Sequence, residues 1–289
     1  MRPQKALHLH HDLDKKTPKS AGLEYAIMEK HDGWYGYMDL TGSEIYSGAG
    51  RVIPSLKEFS ETIRPYIPNI RGRLIFEIMI EGLEIDSFYT LNGILNRKYE
   101  QADDVYIMVH DFVPFGENKD VSFKYRYGVA AEIVSKINLP QVRLAPILGI
   151  HYDTAEFKRK AEFIWSRGGE GIILKHMDAP YMPEKRNHTL MKIKEELTLD
   201  MVVVDVQRGE AGGKYADTLG TLIVQEKNGL KHTVSGMTDE DRHTWWSDKS
   251  LIIGKVVEIK AMKRDKTDGS LREPRFKAVR WDKCKDDID

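Results

Sequence analysis

Four apolar stretches of strand length each carry charge inside them or at their ends. They are "RLIFEIMIEG" with Glu77 in its middle, "VYIMVHDFV" interrupted by His110-Asp111, "EGIILKH" opening on Glu170, and "TLMKIK" ending on Lys192 and Lys194. A charge placed in a buried strand is costly unless it is paired. Each feature alone has an ordinary reading: a strand glutamate meets an arginine, and alternating lysines face solvent. What distinguishes this chain is their order. They follow one another downstream of "MEKHDGWYGYMD", where two short strands flank the Asp32-Gly33 turn signal and Lys30 stands two residues before it.

Lys30 is a candidate nucleophile. A free lysine titrates near 10.4, so only about one in a thousand is neutral near neutral pH. Burial and neighbouring positive charge remove that penalty by destabilising the ammonium. The downstream lysines are the groups able to supply the charge. Of Lys192 and Lys194, one is expected to reach Lys30's site directly and the other to need a twist or bulge.

Between the strands the pattern changes to helices. "PSLKEFSETIRPYI" offers Ser55 and Glu58 as a capping box, with Leu56, Phe59 and Ile63 on one face. "SFKYRYGVAAEIVSKI" and "DTAEFKRKAEFIWSRGG" read as helices, the second ending at Gly168. Past residues 196–200 the pattern is short strands, "DMVVVDVQRG" through "RFKAVRWD", with one helix in "TDEDRHTWW" capped by Thr238. The expected fold class is α+β: residues 1–197 as a first domain of antiparallel sheets with helices, and 198–289 as a compact oligonucleotide-binding (OB) type barrel.

Composition narrows the function. With 41% hydrophobic and 31% charged residues the chain holds a sizeable core and a charged surface. No run reaches the length of a membrane span, and the start lacks the apolar stretch of a signal peptide. A single cysteine, Cys284, excludes an internal disulfide framework and a cysteine metal cluster. A cytoplasmic or nucleoid-associated location, without membrane or secretion, is expected. The net charge of −1 hides an asymmetry: residues 255–285 hold eleven Lys or Arg against five acids, a local +6. "HLHH" near the start reads as a disordered end, Trp245 and Trp246 as packing, and Gly212-Gly213-Lys214 as a hairpin rather than a Walker loop.

The ordered set resembles the covalent nucleotidyltransferases: ATP-dependent DNA ligases, RNA ligases and messenger-RNA capping enzymes. "KHDG" at 30–33 matches their K-x-D-G motif, "FEIMI" their third, "MVHDF" their aromatic-Asp strand, "EGIILK" their fourth and "MKIK" their fifth. "DGSLREPRFKAVRWDK", residues 268–283, resembles the closing motif of ATP-dependent DNA ligases and favours that branch. The resemblance implies an adenylation (nucleotidyltransferase) domain followed by an OB-fold domain, using ATP and Mg²⁺. Lys30 would carry AMP, helped by Lys192, Lys194, Arg275 and Lys283. Met28, Glu77, His110, Glu170 and Arg272 would complete the nucleotide site, with Glu170 and Glu77 as metal ligands. Tyr35, Arg51, Lys175, Lys263 and Arg264 would meet nucleic acid. The expected partner is a nicked duplex of DNA, RNA-containing nicks included, and the expected state is a monomer without a large amino-terminal DNA-binding domain. Three positions depart from the family pattern. Tyr35 and Gly48 stand where arginines are common, leaving Arg51 as a substitute, and His110 stands where a larger base-stacking ring is usual. The alternatives are an RNA ligase, a capping guanylyltransferase, or a non-catalytic OB-type nucleic-acid-binding protein.

Overall fold

The computed structural model describes residues 2–13, 15–42, 44–67, 69–83, 87–116, 120–264 and 268–289, with residues 87–89 and 263 described by backbone alone. It divides into two compact units, Met1–Lys194 and Glu195–Asp289.

The first unit runs β1 (Lys5–His8), α1 (Leu9–Leu13), β2 (Tyr25–Glu29), β3 (Trp34–Asp39), β4 (Ile45–Ser47), α2 (Lys57–Ile63) and β5 (Gly72–Ile80). It continues with α3 (Ser87–Leu95), β6 (Val105–Pro114), α4 (Phe123–Ile137), β7 (Val142–Leu144), β8 (Ile147–His151), α5 (Thr154–Ser166), β9 (Gly171–His176) and β10 (Arg186–Lys194). Two five-stranded sheets result, ordered β1-β10-β9-β2-β8 and β4-β3-β5-β6-β7. Both are mainly antiparallel, but two edge strands pair parallel, β1 with β10 and β7 with β6, which the expectation of antiparallel sheets omitted.

Strand alternation explains how one sheet serves a core and a site together. In the second sheet Met38, Leu74, Phe76, Ile78, Ile107 and Val109 point into a core closed by α2, α3 and α4. Tyr35 and Glu77, paired in register, lie on the opposite face. In the first sheet Tyr25, Ile27, Ile172, Leu174 and Met191 bury against Phe157, Ala161 and Ile164 of α5. Burying each such side chain stabilises the fold by roughly 1.5–3 kcal/mol. Ala26 and Met28 point the other way and meet Phe123 and Ala145.

One irregularity sets up the site. Ile75 pairs with Asp111 and Phe76 with Val109, so His110 is an extra residue without an opposite partner. This β-bulge flips the parity of β6. Val109 and Phe112 both reach the core, while His110 and Asp111 are both left on the other side.

Two expectations about local structure fail. Ser55 caps nothing: α2 starts after a 3₁₀ turn at Pro54–Leu56, and the buried Ser55 hydroxyl donates to the Leu95 carbonyl at 3.2 Å. "HLHH" is ordered: His8 ends β1, and Leu9, His10 and His11 open α1, whose Leu9 and Asp12 are buried. Asp12 accepts from Lys15 Nζ at 2.7 Å and from the Ser20 amide at 2.8 Å.

The second unit holds β11 (Leu197–Arg208), β12 (Leu219–Gln225), β13 (Lys231–Val234), α6 (Asp239–Ser247), β14 (Val256–Ala261), β15 (Lys263–Arg264), β16 (Leu271–Arg272) and β17 (Arg275–Val279). Five of these strands make one sheet, ordered β13-β12-β11-β14-β17, and β15 pairs with β16. The expected barrel is not closed by a ladder. Among the described residues its two edges meet at one parallel bridge, Ser235–Arg275. Thr238 caps α6 as expected, reciprocated by Asp241, and Trp245 is buried in the core with Met201, Leu222 and Ile259.

Candidate active site

The inner faces of the two sheets of the first unit enclose a cavity of about 200 Å³, whose wall includes Met28, Lys30, His31, Tyr35, Glu77, His110 and Lys175. Lys30 follows β2, anchored by its amide donating to the Gly171 carbonyl at 2.9 Å. That bond sets the nucleophile candidate beside Glu170, whose Oε2 accepts from Lys30 Nζ at 2.6 Å. The other carboxylate oxygen, Oε1, pairs with Lys194. Burial pushes the Glu170 carboxyl up, but Lys30 and Lys194 outweigh it and hold the group below its ordinary value.

Lys192 needs neither twist nor bulge to join them. Residues two apart on a strand share a face, and Met191 and Ile193 between and beside the lysines occupy the opposite, core side. Burial, with Lys194 and Lys30 adding repulsion, lowers the Lys192 ammonium to about 8. Glu77 stands across from this group. Burial raises its carboxyl to about 7, Lys30 resisting and Glu170 and Asp32 adding to the rise.

Deeper in the cavity a buried charge cluster forms the floor. Arg126 of α4 grips Asp111 through Nε to Oδ1 at 2.8 Å and through its terminal nitrogen to Oδ2 at 3.3 Å. It also donates to the carbonyls of Val121 and Ala179. Lys175 Nζ donates to Asp111 Oδ2 at 3.2 Å and contacts His110 twice. Burial disfavours the Asp111 charge, yet Lys175 and Arg126 carry its pKa down to about 2.

The structure places the other assigned residues as follows. Lys175, assigned to nucleic acid, is 8% exposed, with its ammonium donating inside the cavity. Tyr35 is a wall residue whose hydroxyl shares a 3.1 Å hydrogen bond with that of Tyr181. Arg264 folds inward within the second unit, pairing with Glu226 at 2.7 Å and the Gly269 carbonyl at 2.9 Å. The backbone of Lys263 lies on β15, and its side chain is outside the described residues. Arg51 is exposed in the turn after β4. Arg272, Arg275 and Lys283 all belong to the second unit. Arg275 is exposed, whereas Lys283 donates to Asp200 at 2.5 Å beside Arg280. Arg126, Tyr181, His31 and His176 went unread in the sequence. Arg126 had a signal: it interrupts the buried stripe Phe123, Ala130, Ile133, Ile137 at helical spacing.

Paired inner sheet faces with a lysine at their rim, followed by a small β unit, are the fold of the ligase-type nucleotidyltransferase class. The fold is shared with a Lig E DNA ligase (TM-score 0.75, 22% identity, 97% of this chain and 99% of that one). It is also shared with the Chlorella virus DNA ligase-adenylate (TM-score 0.52, 19% identity, 97% and 98% covered). The family model for the ATP dependent DNA ligase domain matches residues 39–194, more than half of the chain, which belongs to that family. The DNA ligase of Thermococcus onnurineus is 30% identical over 95% of this chain and 55% of its own length, and that of Nanoarchaeum equitans is 22% identical over 93% and 54%. The chain thus spans about half the length of these curated relatives.

Proposed function

We propose that this chain seals nicks in duplex DNA with ATP through a lysyl-AMP intermediate. The observation that carries the reading is the Lys30–Glu170–Lys194 constellation with Lys192 on the same face. Lys30 attacks the α-phosphorus, and the bond to the bridging oxygen breaks, so pyrophosphate leaves. AMP then passes to the 5′-phosphate of the nick. Attack by the 3′-hydroxyl on that phosphate expels AMP and closes the strand.

The chain's own residues do specific work in the first step. Glu170 aims the Lys30 amine, and Lys192 and Lys194 stand ready to take up the negative charge that develops on the phosphate oxygens. Met28, His110 and Lys175 form the wall behind the nucleotide. The carboxylates of Glu170 and Glu77 fit Mg²⁺ as hard oxygen donors, and the Glu77 carboxyl, kept partly protonated by burial and by the nearby acids, is the kind of group a cation would relieve. When bound there the ion would neutralise phosphate charge. Arg272, Arg275 and Lys283 are assigned to pyrophosphate departure, Lys283 exchanging Asp200 for the leaving group. Arg51 is assigned to the nick phosphate. The active form is a monomer.

Incubation with α-labelled ATP followed by a denaturing gel is the test. The wild-type chain should acquire label, and Lys30→Ala should acquire none while keeping its melting temperature. Label mapped to another lysine overturns the assignment. Label acquired from GTP and not from ATP would instead establish the guanylyltransferase alternative.

A further inference from the structure

The Lys175 ammonium has three hydrogens and three acceptors around it: His110 Nδ1 at 3.0 Å, the His110 carbonyl at 2.8 Å and Asp111 Oδ2 at 3.2 Å. An ammonium has no lone pair to accept with. A proton on His110 Nδ1 would therefore point at an N–H of Lys175. The remaining hydrogen of a neutral ring must sit on Nε2, which has no partner among the described residues. The bulge at His110 makes this contact possible by keeping His110 and Asp111 on one side of β6, toward β9.

Resting on the reading of the cavity as a nucleotide site, we infer that Lys175 is a positioning residue that locks His110 as its Nε2–H tautomer, so that His110 meets the bound nucleotide as an uncharged ring offering one N–H donor. A purely stacking ring would give a nucleotide only its face. His110 gives an edge donor as well, to a ring nitrogen or ribose oxygen. The lock is well braced. Asp111, which orients Lys175, is itself held by Arg126, and the Lys175 ammonium also lies 4.8 Å from the centre of the Phe123 ring.

The groups facing His110 agree with a neutral ring. Burial, Lys175 and His31 disfavour its charged form, Asp111 and a hydrogen bond to the His110 backbone favour it, and its pKa lies well below the ordinary value. Tyr35, with ring centres 6.3 Å apart, brings no charge of its own.

Nitrogen-15 labelling of the ten histidines tests the lock on the intact chain, with His110→Phe identifying which signals belong to His110. The expected pattern is an unprotonated Nδ1 and a protonated Nε2 that stay unchanged between about pH 5.5 and 8.5, where a free histidine would titrate near 6.5. Lys175→Met should release the ring, so that His110 titrates or mixes tautomers. Should that variant fail to fold, the wild-type spectrum decides alone. A proton on Nδ1, or ordinary titration of His110 in the wild-type chain, refutes the lock. Adding ATP should then shift the His110 Nε2 signal. His110→Phe, which keeps an aromatic face, should raise the ATP concentration for half-maximal label transfer about fivefold, the worth of one ordinary hydrogen bond. If Lys30 is labelled while His110 does not shift and His110→Phe is unchanged, the contact is wrong and the nucleotide reading stands. If ATP neither labels the chain nor moves any signal, both fall.

Discussion

At Glu77 the requirements of chemistry and of folding conflict. Its carboxyl is raised to about 7, chiefly by burial, so the folded chain holds that proton where an unfolded one has lost it. The stability that comes with the bound proton is complete below the unfolded value near 4.5 and is lost as pH rises through 7. Glu77→Gln mimics the protonated form. It should melt higher than wild type at pH 8, by about 1–3 kcal/mol of stability since the side chain keeps some open surface. The gap should vanish toward about pH 4.5. Thermal melts across that range check the sign, and a variant less stable than wild type at pH 8 would contradict the burial cause. At this scale much of the site was legible. Lys30, Glu170, Lys192 and Lys194 stood out because charged residues in that order within apolar strands are rare, and the structure brings them together. Lys175, given to nucleic acid by resemblance, lies inside the cavity. Only the bulge, which depends on pairing with a distant strand, turns Asp111 toward it.

Among the elements, Gly171 couples Lys30, the proposed nucleophile, to its neighbour Glu170. Its φ of 139° belongs to the region that favours glycine, and an added Cβ would lie 2.1 Å from the Ile193 carbonyl oxygen. Its own carbonyl holds the Lys30 amide, so backbone movement here separates β2, β9 and β10 together. Gly171→Ala should cost about 3 kcal/mol or more and abolish label transfer. Gly93 gives the contrast. It lies exposed in α3 with open space around its Cβ position, so Gly93→Ala should stabilise by about 0.5–1 kcal/mol with label transfer unchanged. Urea melts of the two variants, read beside their adenylylation, test both expectations. The elements themselves were mostly readable from periodicity and caps. Thr238 capped as read, because its partner is three residues away. Ser55 did not: its hydroxyl donates to the Leu95 carbonyl across the fold, and a 3₁₀ turn at Pro54–Leu56 takes the place of a capped helix start.

For the whole molecule, the basic stretch 255–285 needs dividing before its charge is turned into affinity. Lys260, Arg264, Arg280 and Lys283 are committed to carboxylates of their own unit. Lys255, Arg275, Lys277 and Lys285 are exposed. Counterions are released only by cations that neutralise DNA phosphates, so the committed four should contribute little to salt dependence. The sequence count of eleven therefore overstates the grip, since charge is legible in a sequence but pairing across strands is not. Nick sealing should still fail at a few hundred millimolar salt, an order-of-magnitude expectation, while self-adenylylation, which exchanges few ions, should persist. Changing Lys255, Lys277 and Lys285 together to Gln removes three exposed cations outside the proposed chemistry. It should flatten the log–log salt slope of nicked-duplex binding by about 3, near 0.9 per contact, with label transfer from ATP unaltered. Lys260→Gln, a committed cation, should leave the slope nearly unchanged. Binding titrations across one salt series measure both. Equal loss of slope in the two variants would mean that pairing within the unit does not withhold those charges from DNA.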